Sequence, residues 1–281
     1  MLRVAVPNKG SLSEPAAQML GEAGYRERRD GRELVLVDEP NDTEFFFLRP
    51  RDIATYVGSG QLEVGITGRD LLLDSDADAE EILALNFARS TFRYAALPEA
   101  ATRVEEFAGK RVATSYGGLV RRDLAARGID AEVVHLDGAV ETAVRLGVAD
   151  VVADVVDTGA TLRQAGLRLV GEPILRSEAV LIRRRGAAST PAVDQLVRRL
   201  NGVIIARQYV MIDYDVRTED LDAAAALTPG IESPTISPLQ DPAWVAVRAM
   251  VLRKDTNRIM DQLWELGAKG ILVTDILACR L

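Results

Sequence analysis

The residues best suited to chemistry lie between Val151 and Leu162, in the run Val-Val-Ala-Asp-Val-Val-Asp-Thr-Gly-Ala-Thr-Leu. The pattern predicts an apolar strand ending at Asp154, a tight turn over Asp157, Thr158 and Gly159, and a helix beginning near Thr161. Unpaired backbone N–H groups at such a helix start point outward with positive partial charge, which suits a phosphate. Gly159 lets the backbone approach a ligand closely, and the hydroxyls of Thr158 and Thr161 add donors. Asp154 can accept hydrogen bonds from the hydroxyls of a sugar attached to that phosphate. The chemistry expected is recognition of a phosphorylated sugar. Turn chemistry alone would equally give a capped strand–helix junction with no ligand.

Composition removes several competing chemistries. The 281 residues include one His and one Cys. Cys279 has no partner for a disulfide, which fits a reducing cytosol, and too few soft ligands exist to close a Cys/His zinc centre. Cys279 reads as packing and His135 as a structural strand-end residue, not as an acid or base. With 42 acidic against 34 basic residues the formal charge is -8, which argues against a general nucleic-acid surface. The charge is uneven: residues 91–208 hold 17 basic and 14 acidic side chains, against 10 and 17 in 1–90 and 7 and 11 in 209–281. The only net-basic segment is thus the one with the phosphate-type turn. The run Arg183 to Arg185 has no interleaved aromatics and reads as a solvated strand end. No basic leader or cleavage site precedes the first apolar strand, and no apolar run nears the roughly 20 residues of a membrane span. The expected location is cytoplasmic, with neither membrane nor nucleic acid as partner.

The elements that must position these residues follow an α/β grammar. Short apolar runs at 4–7, 34–37, 44–48 and 64–67 alternate with helical patterns at 11–23, capped by Ser13, and at 52–57. Beyond residue 90 come strands at 111–114, 132–135 and 151–154, with helices at 119–127 and 139–146 between them. Alternation of this kind predicts a mainly parallel sheet covered on both faces. Residues 1–90 and 179–208 are expected to form one lobe and 91–178 a second, with a ligand cleft between them. Thr190 caps a helix opening at Pro191. Residues 209–281 change rhythm to strand 209–213, helix 218–227 capped by Thr218, strand 229–237, strand 244–251, helix 255–266 and strand 270–273. This βαββαβ order is the ferredoxin-like pattern.

Glu141, Gly147, Ala149, Val152, Asp154, Val155, Thr158, Gly159, Thr161 and Leu162 resemble, in order and spacing, the signature of the ATP phosphoribosyltransferase family. The resemblance extends through the stretches 4–10, 47–50, 65–70 and 229–235, and so covers essentially the whole chain. The C-terminal module makes it similar to the long, bacterial form. The fold this implies is a two-lobed α/β core of the periplasmic-binding-protein type followed by an ACT-like α+β domain.

The activity implied is transfer of phosphoribosyl from phosphoribosyl pyrophosphate (PRPP) to N1 of ATP adenine, with inversion, opening histidine biosynthesis. Glu141, Asp154, Asp157, Thr158, Gly159, Ala160, Thr161 and Leu162 would then serve PRPP. Lys9, Arg49, Asp70 and Tyr116 would serve ATP or pyrophosphate. Asp215, Ser233 and Thr235 would hold histidine as feedback inhibitor, and AMP joins the expected small molecules. Mg²⁺ would ride mainly on substrate phosphates, since it prefers oxygen ligands and keeps its waters. No general base is expected, because adenine N1 already presents a lone pair. The resemblance also implies a homo-oligomer, dimer to hexamer. Two other readings remain: a non-catalytic two-lobed solute-binding or sensor protein, disfavoured by the phosphate-type turn, and a nucleotide-salvage phosphoribosyltransferase. The latter usually has adjacent acidic residues before its turn, whereas two valines separate Asp154 from Asp157.

Overall fold

The computed structural model describes residues 1–26, 33–156 and 159–280. In chain order, β1 (Leu2–Pro7), α1 (Ser13–Glu22), β2 (Val35–Asp38), β3 (Thr43–Leu48), α2 (Pro50–Gly58), β4 (Val64–Gly68), α3 (Arg69–Asp74) and β5 (Ala79–Ala84) come first. They are followed by β6 (Ser90–Ala96), β7 (Arg111–Thr114), α4 (Gly117–Ala126), β8 (Glu132–His135), α5 (Glu141–Arg145), β9 (Val151–Val156), α6 (Ala160–Gln164) and β10 (Arg168–Ser177). Then β11 (Ala179–Arg184) closes this part, and α7 (Pro191–Gln208) follows, most of it counted with the second unit below.

Two sheets result, ordered β2-β3-β1-β4-β11-β5 and β10-β6-β9-β7-β8. The chain leaves the first after β5 and re-enters it as β11, so two crossovers join the lobes. The expectation of mainly parallel sheets is corrected. β1 is parallel to β3 and β4, and β7 to β8 and β9, but β2, β5, β6, β10 and β11 pair antiparallel. β2 and β3 are joined by a connection too short for a parallel pair, and β6 and β11, the strands the crossovers lead into, run opposite to every strand they pair with.

The central strands are buried on both faces, which is why they read as unbroken apolar runs. β4 is buried along its whole length, and α2 lays Ile53, Ala54 and Val57 against Ala5, Val180 and Ile182. Gly65 makes that packing possible, since a Cβ there would lie 2.6 Å from Ile53 and 3.0 Å from Ala5. In the second lobe Phe92, Tyr94, Phe107 and Val112 fill one side of the sheet, while Ala113, Val152, Val156 and Leu162 fill the other. Ser13 is the first residue of α1 rather than its cap. Thr190 does cap α7, accepting the Val193 N–H at 3.3 Å.

A second compact unit comprises Gln195–Leu281 with Glu22–Gly24. Its strands are β12 (Tyr209–Arg217), β13 (Thr235–Pro238), β14 (Trp244–Leu252) and β15 (Lys269–Asp275), and its helices α8 (Leu221–Leu227) and α9 (Thr256–Glu265). All pairings are antiparallel in the order β13-β14-β12-β15, the ferredoxin-like arrangement. Val210, Ile212, Tyr214 and Val216 alternate inward along β12 and meet Ile259 and Leu263 of α9. Two expectations shift. The second strand covers only 235–238, with a turn before it at Gly230, φ +70. Thr218 opens a 3-10 turn and donates to the Pro242 carbonyl at 3.2 Å, and does not cap α8.

Candidate active site

A cleft of 310 Å³ between the two sheets of the core is lined by Lys9, Leu12, Asp70, Tyr116, Val155 and Ser177, among others. Lys9 follows the C-terminal end of β1 and is exposed. Asp70 lies in the first turn of α3 and is only 7% exposed. Its N–H donates to Ser177 Oγ at 3.1 Å, and Ser177 Oγ in turn donates to its Oδ1 at 2.9 Å. Gly68 gives the carboxylate its room, because a Cβ there would collide with Asp70 Oδ1.

Tyr116 sits at the N-cap of α4, its N–H donating to Thr114 Oγ1 at 2.9 Å. Its ring packs 5.1 Å from Phe92 and lies under the Arg51 guanidinium at 4.8 Å. Burial holds the phenol well above its usual pKa, the facing Asp70 carboxylate adds to this, and Arg51 opposes it. Tyr116 is therefore a neutral hydrogen-bonding group throughout the physiological range.

Asp154 lies inside β9, two residues before its end, a correction to the expected strand terminus. The strand runs on because Val155 and Val156 pair with Phe92 and Thr91 of β6. Asp154 Oδ1 accepts the Val155 N–H at 2.8 Å. Burial raises its carboxyl pKa, the Val155 N–H works the other way, and the charges of Glu141 and Asp70 raise it further, with Arg51 opposing. Glu141 opens α5. Asp70, Glu141 and Asp154 therefore share one electrostatic environment.

Gly159 precedes α6 in the left-handed region, φ 69, where a side chain would be strained. Asp157 and Thr158 lie outside the described residues. Ala160 and Thr161 are exposed at the first turn of α6. Leu162 is 6% exposed, and its side chain packs with Val152 and Val156. It anchors the turn from beneath instead of facing a ligand, so its expected place among the contacts is corrected to a supporting one. Arg49 is exposed before α2 and does not line the cleft, whereas its neighbours Pro50 and, through Tyr116, Arg51 border it. Ser177 and Arg51 went unremarked in the sequence because neither falls in a distinctive pattern.

In the C-terminal unit, Asp215 borders a hollow with Trp244, Lys269, Leu239, Gln240 and Asp241. Ser233 and Thr235 are exposed and do not line it. Thr235 is in register with Arg248, itself opposite Asp213, whereas Asp215 lies opposite Ala246. The fold places Asp215 and Thr235 on the same open face of the sheet but two strands apart, so one chain does not gather all three residues. His135 ends β8 with Nε2 3.3 Å from Asp137 and takes no part in the cleft.

Known proteins resemble this chain along its length. The family model described as ATP phosphoribosyltransferase matches residues 49–202, and that described as HisG, C-terminal domain, matches 206–278. An ATP phosphoribosyltransferase from Arthrobacter sp. (strain FB24) is 66% identical and one from Streptomyces coelicolor 64%, both over the whole of each chain. Among solved structures, an ATP phosphoribosyl transferase (HisG:HisZ) complex from Thermotoga maritima has a chain that superposes with a TM-score of 0.64 at 25% identity, covering 73% of this chain and 98% of that one. On these matches the chain belongs to the ATP phosphoribosyltransferase family, in its long form with the C-terminal domain.

Proposed function

We propose that this chain joins N1 of the ATP adenine to C1 of the ribose of PRPP, releasing pyrophosphate in the first step of histidine biosynthesis. The observation that carries the site assignment is that Asp70 and Tyr116 line one cleft and that Asp154 interacts electrostatically with both. Gly159, Ala160 and Thr161, with Asp157 and Thr158, bind the 5-phosphate through backbone N–H groups and hydroxyls. Asp154 and Glu141 accept from the ribose hydroxyls. Asp70 and Tyr116 face the adenine nucleotide, and Lys9 meets its phosphates or the departing pyrophosphate, with Arg49, exposed one residue from the cleft-lining Pro50, reaching the outermost of them.

The N1–C1 bond forms as the C1–oxygen bond to pyrophosphate breaks, on opposite faces of C1, and the electron pair leaves on the pyrophosphate oxygen. The N1 lone pair is free, so no base acts at that moment, and positioning supplies most of the catalysis. Positive charge that develops on the ribose and adenine meets the carboxylates of Asp70, Glu141 and Asp154. Mg²⁺ would enter with the substrate and would offset the charge that builds on the departing pyrophosphate. Asp70 and Asp154 offer the hard oxygen donors it prefers, but among the described residues no group of three or more metal-binding side chains converges. The proposal extends to a cytoplasmic homo-oligomer, dimer to hexamer, inhibited by histidine through the C-terminal domain and responsive to AMP.

Purified protein mixed with ATP, PRPP and Mg²⁺ is expected to release pyrophosphate and phosphoribosyl-ATP, less so with histidine present. Absence of the adduct under all conditions would overturn the reading, whereas product formation insensitive to histidine would remove only the regulatory part.

A further inference from the structure

Asp74 ends α3, in the first lobe, with its side chain only 9% exposed. Its two oxygens face different elements. Oδ2 pairs with Arg51 of α2 at 2.8 Å. Oδ1 accepts the Leu119 N–H at 3.0 Å. Leu119 is the third residue of α4, in the second lobe, and Tyr116 at the N-cap of that helix contributes no capping side-chain bond. Asp74 therefore does from the opposite lobe what an N-cap side chain does locally: it satisfies an orphan N–H and places negative charge at the positive end of the helix.

Further contacts tie α4 to α2, to α3 and to the loop that follows α3. A Cβ on Gly118 would stand 2.5 Å from the Asp74 carbonyl oxygen and 3.2 Å from its Oδ1, so the approach requires glycine there. Arg51, held by Asp74, lies over the Tyr116 ring. Farther along α4, Arg122 pairs with Asp76. One nearly buried carboxylate thus links α2, α3 and the start of α4, next to the residue that forms the cleft wall opposite Asp70.

We propose that Asp74 is a positioning residue for the transfer: by capping α4 from the first lobe, it holds the lobes at the separation where Tyr116 meets Asp70, and so sets the affinity for the adenine nucleotide. This rests on the reaction proposed above. Asp74 does not line the cleft. It acts through Tyr116, so its loss falls chiefly on the nucleotide and less on PRPP, whose turn lies elsewhere in the second lobe.

The test combines kinetics with a distance measurement that needs no activity. Asp74→Ala removes both bonds, whereas Asp74→Asn keeps an oxygen for the Leu119 N–H and loses the charge that pairs with Arg51. Gly118→Ala pries the same contact from the other side. Because alanine is the better helix former, any harm it does comes from the close approach and not from helix propensity. Spin labels at Gln61→Cys and Ala126→Cys, in a Cys279→Ser background, report the separation of the lobes. Asp74→Ala and Gly118→Ala are expected to raise KM for ATP by about tenfold, the scale of one lost charge-assisted contact, with a smaller change in KM for PRPP. Both should broaden the label distances toward longer values. Asp74→Asn should recover most of the loss, and the double variant should do no more than the worse single one, since both open one contact. Should Asp74→Ala fail to fold, the Asn and Gly118 variants decide the matter. Wild-type distances and wild-type KM for ATP in the variants would overturn the proposal, as would Asn behaving like Ala. A wild-type chain without transferase activity would sink the proposed reaction instead, and the distance distributions would still decide whether Asp74 holds the lobes.

Discussion

In the proposed reaction Asp154 carries charge where burial resists it. Its raised pKa means that the folded chain holds the Asp154 proton more tightly than the unfolded chain does. The stability linked to that proton is full below the unfolded pKa and is lost as pH rises through the folded one, so near neutral pH the ionised carboxylate is a net cost. Asp154→Asn is therefore expected to raise the melting temperature near neutral pH, with the gain shrinking toward acid. An equal gain at both pH values would show that burial of the charge is not the cause. The same variant should weaken PRPP binding, and wild-type affinity should decline on acidification at a higher pH than for an ordinary aspartate. Thr161 offers a second check at this scale. Its hydroxyl is exposed at the start of α6, and Thr161→Ala should cost about 1–3 kcal/mol of PRPP binding if one hydrogen bond to the phosphate is lost. Calorimetry that finds unchanged affinity would remove Thr161 from the site.

At the scale of elements, Gly65 marks where α2 and β1 press closest on β4. Gly65→Ala should destabilise the chain by about 1–3 kcal/mol, the usual cost of overpacking. A urea midpoint matching the wild type would mean that the helix can shift without loss. The sequence made some elements legible and hid others for definite reasons. β7 and β8 match expectation to the residue, because β-branched runs bounded by turn residues leave little choice. β5 did not announce itself: Ala-Glu-Glu-Ile-Leu-Ala lacks strict alternation, and it is a strand because β11 pairs along it. β10 was hidden too, its register broken between Val170 and Leu175. The left-handed Gly159 ahead of α6 was readable because glycine before a helix start is a local signal. The Ser177–Asp70 pair was not, since its partners are 107 residues apart and only the tertiary fold joins them.

For the whole molecule, the charge of -8 coexists with a site proposed for two polyanions. One cleft carboxylate, Glu178, is paired with Arg69, so its charge is met within the protein before a polyanion arrives. The ferredoxin-like unit forms a core of its own, which suits a separate effector site. If Asp215 receives the histidine ammonium there, Asp215→Asn should move the histidine dose–response to concentrations about tenfold higher, as expected for a lost charge-assisted hydrogen bond. An unmoved curve would exclude Asp215. The double crossover between the core sheets also has a consequence for synthesis. β11 fits between β4 and β5, yet it begins at residue 179, whereas β5 ends at residue 84. Until β11 leaves the ribosome, the first sheet has a gap with unpaired edges on both sides, while the strands and helices of the second lobe have already been made. The nascent second lobe can therefore fold before the first is finished. The last strand to arrive completes the first lobe as a wedge, a long-range closure of the kind that slows refolding of the full chain.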